Sequence, residues 1–192
     1  MSLFGKHAAV LILAALAGFG AMSAQAADKK SSKTPAAQNI SMLNGKFSFT
    51  LPKGFTASTL GAGDEASGTA GASGTLYSNA TTKTVVIAAH NTLPNGQQVE
   101  DNDSVFLDGA VAGFLSQQAA ALPDFSKQSE KSMRVKSLGV RQIDSTASMG
   151  GGLTLNSTLL AGSGNKMMVI QVISRAGDKA GHDTLMKQIL GQ

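Results

Sequence analysis

Few residues of this chain have types suited to chemistry, and none stands in a spacing that commits it to a reaction. Beyond the N-terminal region there are two histidines, His90 and His182. An imidazole can act as general base for a serine hydroxyl when a carboxylate holds its other nitrogen, and His182 is followed by Asp183 in a serine-rich chain. Adjacent residues of a helix point apart, so this pair does not itself form the couple. The chain has no Gly-x-Ser-x-Gly elbow, no His-x-x-x-His pair and no phosphate loop. A small hydrolase would have to assemble Ser, His and Asp from distant positions, and that is the alternative to the reading reached below.

Other chemical signals yield to blander readings. Gly61-Ala-Gly63-Asp-Glu-Ala66 has the spacing of a dinucleotide fingerprint, but that loop must lead into a helix, and Ser67-Gly-Thr-Ala-Gly71 is no helix start. No cofactor is expected. Glu100, Asp101 and Asp103 precede a helical pattern, where carboxylates are stabilised by the helix N-terminus, and the glycine and distal glutamate of a calcium loop are missing. No metal is expected either. The absence of cysteine removes thiol nucleophiles, disulfides and thiolate sites. The formal charge of +4 is concentrated near the N-terminus: from Asn39 onward there are 12 basic and 11 acidic residues. With one Tyr and no Trp besides, the composition gives no pull toward nucleic acid and no stacking platform. Lys127, Lys131, Arg134 and Lys136 read as a solvated sheet edge protected by its charges.

The elements that must position these residues begin after an address. Lys6 and His7 precede an apolar run from Ala8 to Ala17, and small residues stand at Ala24 and Ala26, the pattern of a secretory signal cleaved after Ala26. The run is too short, and too broken by Gly18 and Gly20, for a membrane-spanning helix. Phe19 stands where an acylated Cys would end a lipoprotein signal, so no lipid anchor is expected. Residues 1–26 are therefore read as signal, 27–38 as a flexible Lys/Ser/Ala/Pro leader, and 39–192 as one domain exported to the periplasm.

Within the domain, Ile40–Leu43 and Lys46–Leu51 flank Asn44-Gly45, a hairpin signal because both turn residues accept positive φ. Ala57–Gly74 is nearly devoid of large apolar residues and is expected as a surface loop. A second hairpin follows over Thr75–Ser78 and Lys83–His90, then a helix over Asp103–Leu122 with Asp103 as N-cap and Leu107, Val111, Phe114, Gln118 and Leu122 on one face. Strands are expected across 124–137, Gly139–Ala147 and Leu153–Ala161, the last with Leu153, Leu155 and Leu159 inward and Thr154, Asn156 and Thr158 outward. Lys166–Arg175 is apolar on both parities, which places it mid-sheet with both surfaces covered. A short helix over Asp178–Leu190 closes the chain. The class is thus α+β, an antiparallel sheet flanked by helices in an α-β-α sandwich. The closing helix is markedly shorter than the first, so one face is expected to be partly open, with Met167 and Met168 at an apolar groove for a partner.

Four stretches carry a resemblance: Leu43-Asn-Gly-Lys-Phe-Ser-Phe-Thr-Leu-Pro52; Tyr77-Ser-Asn-Ala-Thr81 followed by Val85-Val-Ile87; Gln142-Ile-Asp-Ser145; and the strand Met168–Val172 before the last helix. In order and spacing the chain resembles the DcrB family of bacterial envelope proteins. That resemblance implies the PsbP-like and Mog-like sandwich, a non-enzymatic accessory role in the envelope, and for some members a part in phage uptake. Through relatives that shelter hydrophobic helices, it also implies that the partner is an apolar or amphipathic segment of an envelope or membrane protein. It carries over no catalytic or cofactor-binding residue.

Overall fold

The computed structural model describes residues 34–61 and 72–192, so the expected signal and most of the expected leader lie outside the described residues. Seven strands form one antiparallel sheet: β3 (Thr56–Thr59), β4 (Ala72–Asn79), β5 (Thr84–Thr92), β6 (Ser126–Val135), β7 (Leu138–Met149), β8 (Gly152–Ser163) and β9 (Lys166–Arg175). Their order is β3-β4-β5-β9-β8-β7-β6, with the doubly apolar β9 in the centre. A separate hairpin, β1 (Gln38–Met42) and β2 (Phe47–Leu51), packs with helix α2 (Lys179–Leu190) on one face, and helix α1 (Ser104–Ala121) lies on the other.

The first hairpin turns as its sequence suggests but in a longer loop. Met42 pairs with Phe47, and Leu43, Asn44 and Gly45 all take positive φ, at 49°, 56° and 88°. Gln38 already belongs to β1, and the Gly54 amide donates to the Pro35 carbonyl at 3.0 Å, so the fold reaches into the expected leader. Phe47 and Phe49 meet edge to face at 6.0 Å between ring centroids and, with Leu51, bury the hairpin against Leu185, Met186 and Ile189 of α2 and Met168, Ile170 and Val172 of β9. This hairpin is what makes a short closing helix sufficient on that face.

Helix α1 starts as expected: the Asp103 carboxylate accepts from the Phe106 amide at 2.9 Å. Its inner face sets Ala110, Val111 and Phe114 on Ile143, Leu160, Met167 and Val169. The Arg141 guanidinium donates to Asp108 at 2.7 Å and ties the helix to β7. Strand β8 departs from the sequence expectation. Leu153 is half exposed, while Thr154, Asn156 and Thr158 are buried. Both faces of β8 are covered along most of its length, so polarity does not mark its outside, and the Thr158 hydroxyl has no hydrogen-bond partner among the described residues. The expected loop over Ala57–Gly74 is strand at both its ends, β3 up to Thr59 and β4 from Ala72, and its centre falls outside the described residues.

Candidate functional site

The two histidines lie apart. His90 projects from β5 on the hairpin side, where its Nε2 is 2.9 Å from the Ser73 hydroxyl of β4. Partial burial, and then the charge of Lys166, hold its pKa below the ordinary value, and among the described residues no carboxylate is hydrogen-bonded to it. His182 sits in the first turn of α2, where the Asp178 side chain caps the Gly181 amide at 3.1 Å and turns His182 inward.

Around His182 the fold does gather hydroxyls and, one step on, a carboxylate. Ser157 of β8 lies 2.9 Å from Nε2, and Ser174 of β9 lies 3.0 Å from Nδ1. Ser157 in turn donates to Asp144 of β7 at 2.7 Å. A carboxylate only accepts, so the Ser157 proton is committed to Asp144, Nε2–H donates to Ser157, and Ser174 donates to Nδ1. In a hydrolytic triad the histidine stands between hydroxyl and carboxylate; in this chain the serine does. Ser157, Ser174 and His182 are all buried. Burial is the main reason the His182 pKa is lowered, outweighing the opposing fields of Asp183, Asp144 and Asp178. Burial also works to raise Asp144, but hydrogen bonds from Gln142, Ser157 and Ser129, with Lys131 nearby, leave it below the ordinary value. The arrangement pins the start of α2 to the sheet.

The acidic group before α1 is likewise structural. Asp101 accepts from Lys46 at 2.6 Å and from Ser163 at 2.7 Å, tying the hairpin to the end of β8, and Asp103 caps the helix. Among the described residues no three His, Asp or Glu side chains gather as metal ligands. Lys131, Lys127 and Arg134 do lie on the edge strand β6, Lys127 pairing with Glu130 at 2.6 Å. Met167 and Met168 are both fully buried and face opposite ways, Met167 beneath α1 and Met168 against the hairpin and α2. Neither lines a groove, because β9 is the central strand and both its faces are packed there.

Open apolar surface occurs elsewhere, on the face that carries α1. The helix packs over β7, β8 and the first half of β9. Beyond its footprint is a smaller cluster of Ile87, Ala89 and Ile173, with Leu76, Val85 and Met149 half-buried around it. At the end of the sheet where β9 finishes, the β4–β5 and β7–β8 turns rise above this cluster and enclose a cleft of about 330 Å³. Val85, Ile173 and Met149 supply its apolar lining, Thr154 and Ser78 add hydroxyls, and Lys83 and Arg175 stand in its walls. Among the described residues no Asp or Glu lines it. Volume and lining place it at the lower end of the about 300–1,000 Å³ common for ligand sites.

Sequence reasoning misses this cleft for a physical reason. Its residues come from five strands and two turns, and they share a face only through the register of Val85 with Ile173 and of Thr154 with Arg175. The available signals are weak ones: the apolar residues Val85 and Ile173 near strand ends, and Lys83 at a φ of 56° that favours Gly or Asn.

Solved structures match the fold at low identity. The solution structure of cyanobacterial PsbP (CyanoP) from Synechocystis aligns with a TM-score of 0.56 and 10% identity, over 85% of this chain and 96% of its own. LpqN of Mycobacterium tuberculosis, a protein involved in cell envelope biogenesis, aligns with a TM-score of 0.45 and 14% identity, over 81% of this chain and 88% of its own. No family model matches the chain, and no curated protein is similar to it. The comparisons therefore bear out an α+β sandwich of the PsbP type, and the DcrB likeness rests on the residues quoted for it alone.

Proposed function

We propose that this chain is a non-catalytic accessory protein of the cell envelope that binds an apolar or amphipathic partner in the cleft between the β4–β5 and β7–β8 turns. The observation that carries this reading is the one-sided cover of the sheet: α1 leaves Val85, Ile173 and Met149 around an open cleft, whereas the opposite face is closed by the hairpin and α2. The secretory pattern ending at Ala26 supports the envelope setting. Among the described residues no helix is long and apolar enough to cross a membrane. The resemblance to the DcrB family supports a segment of an envelope protein as the partner, with phage uptake as one process in which it would act. The hydrolase alternative would place its chemistry at His182, where the hydroxyls are buried and Ser157 is bonded to Asp144.

In-cell photocrosslinking tests the proposal. A photoreactive residue at Met149 is expected to capture an envelope protein that the same residue at Val105, 82% exposed on the outer face of α1, does not. Capture from Val105 with none from Met149 would overturn the assignment of the cleft.

A further inference from the structure

The cleft has charges as well as an apolar lining. Arg175 ends β9, and its Nη2 donates to the Gly150 carbonyl at 3.1 Å. Gly152 leaves room for the same guanidinium, since a Cβ at that position would lie 2.9 Å from Nη1. The guanidinium is thus held across the β7–β8 turn by backbone, not by a carboxylate. Lys83 stands on the facing turn with its backbone in the left-handed region. Neither cation makes an ion pair among the described residues. Two cations without ion pairs above an apolar lining, with the Ser78 hydroxyl beside them, match a ligand whose negative charge adjoins a hydrocarbon.

Size narrows the class further. A helix is about 10–12 Å across with its side chains, so a protein segment would reach into a cleft of about 330 Å³ only with a side chain or an extended stretch, and the space itself suits a single chain or ring. Resting on the reading of the cleft as the binding surface, we infer that it takes a single-chain carboxylate amphiphile of the fatty-acid type. The chain lies on Val85, Ile173 and Met149, and the carboxylate accepts from Arg175 and Lys83. Met149, with its flexible thioether at the β7–β8 turn, adapts to the length of the chain.

The test is an NMR titration of the isotope-labelled mature protein with decanoate below its micellar concentration, with decyltrimethylammonium as the probe of the same chain and opposite charge. Decanoate is expected to shift the amide signals of Val85, Met149 and Ile173. The variant Lys83→Glu/Arg175→Glu, checked for fold by circular dichroism, is expected to weaken it by roughly tenfold or more, as hydrogen bonds to a charged group contribute about a decade each in affinity. Equal binding of the cationic probe, shifts confined to other surfaces, or an affinity unchanged by charge reversal would overturn the inference. The two proposals fail separately. Capture of an envelope protein from Met149 without decanoate binding removes the fatty-acid ligand and leaves the cleft as a protein-binding surface. Decanoate binding without such capture supports the ligand and removes the protein segment.

Discussion

His182 illustrates how a residue suited to catalysis can be spent on structure. Both its ring nitrogens are satisfied by buried hydroxyls, and Ser157 passes the chain of hydrogen bonds to Asp144. Removing the link should be costly. Ser157→Ala leaves Nε2–H without its acceptor and takes one donor from Asp144, so a loss of about 1–3 kcal/mol in urea denaturation is expected. The pH dependence has a definite sign. The folded-state pKa of His182 is lowered by burial, so its contribution is fully present above the unfolded value of about 6.5 and declines as pH falls through that value toward the lower folded one. Asp144, also lowered, contributes above its unfolded value of about 3.9 and loses that contribution only in stronger acid. Denaturation between roughly pH 7 and 5 should therefore weaken the wild type more than His182→Gln. An identical slope in the two proteins would show that His182 does not titrate with folding.

Among the elements, what is legible in sequence depends on whether a signal is local. The central place of β9 follows from apolar residues on both parities, because only a strand covered on both sides can bury Met167, Val169 and Ile173 together with Met168, Ile170 and Val172. Asp103 as N-cap is equally local, and Asp103→Ala should cost about 1 kcal/mol. Strand β8 is misjudged because Thr154, Asn156 and Thr158 are buried by tertiary packing, a fact that alternation of polarity does not contain. Gly162 hides a comparable constraint. A Cβ there would enter the Phe106 ring and press on Val99, so α1 approaches β8 through the missing side chain. Gly162→Ala should destabilise the protein by about 1–3 kcal/mol through overpacking, measured by thermal or urea unfolding. A neutral result would mean that α1 can shift on the sheet without penalty.

For the whole molecule, the asymmetry of cover matters more than any single residue. Helix α2 and the hairpin β1–β2 seal one face, whereas α1 covers only part of the other. That an incompletely covered face would exist is readable from two helices of unequal length, yet the longer helix, not the shorter, lies on it, because the hairpin supplements the short one. Met167 and Met168 consequently fall in the core, and the candidate site moves to residues with no motif in the sequence. The central claim is that binding at this cleft, not chemistry at the histidines, is the protein's work. The most direct measurement is rescue of envelope integrity, read as detergent sensitivity, in a strain lacking the protein, with each variant confirmed as folded and exported. His90→Ala/His182→Ala is expected to rescue as wild type does, and Met149→Asp/Arg175→Glu is expected to fail. Rescue by the cleft variant together with failure of the histidine variant would contradict the account.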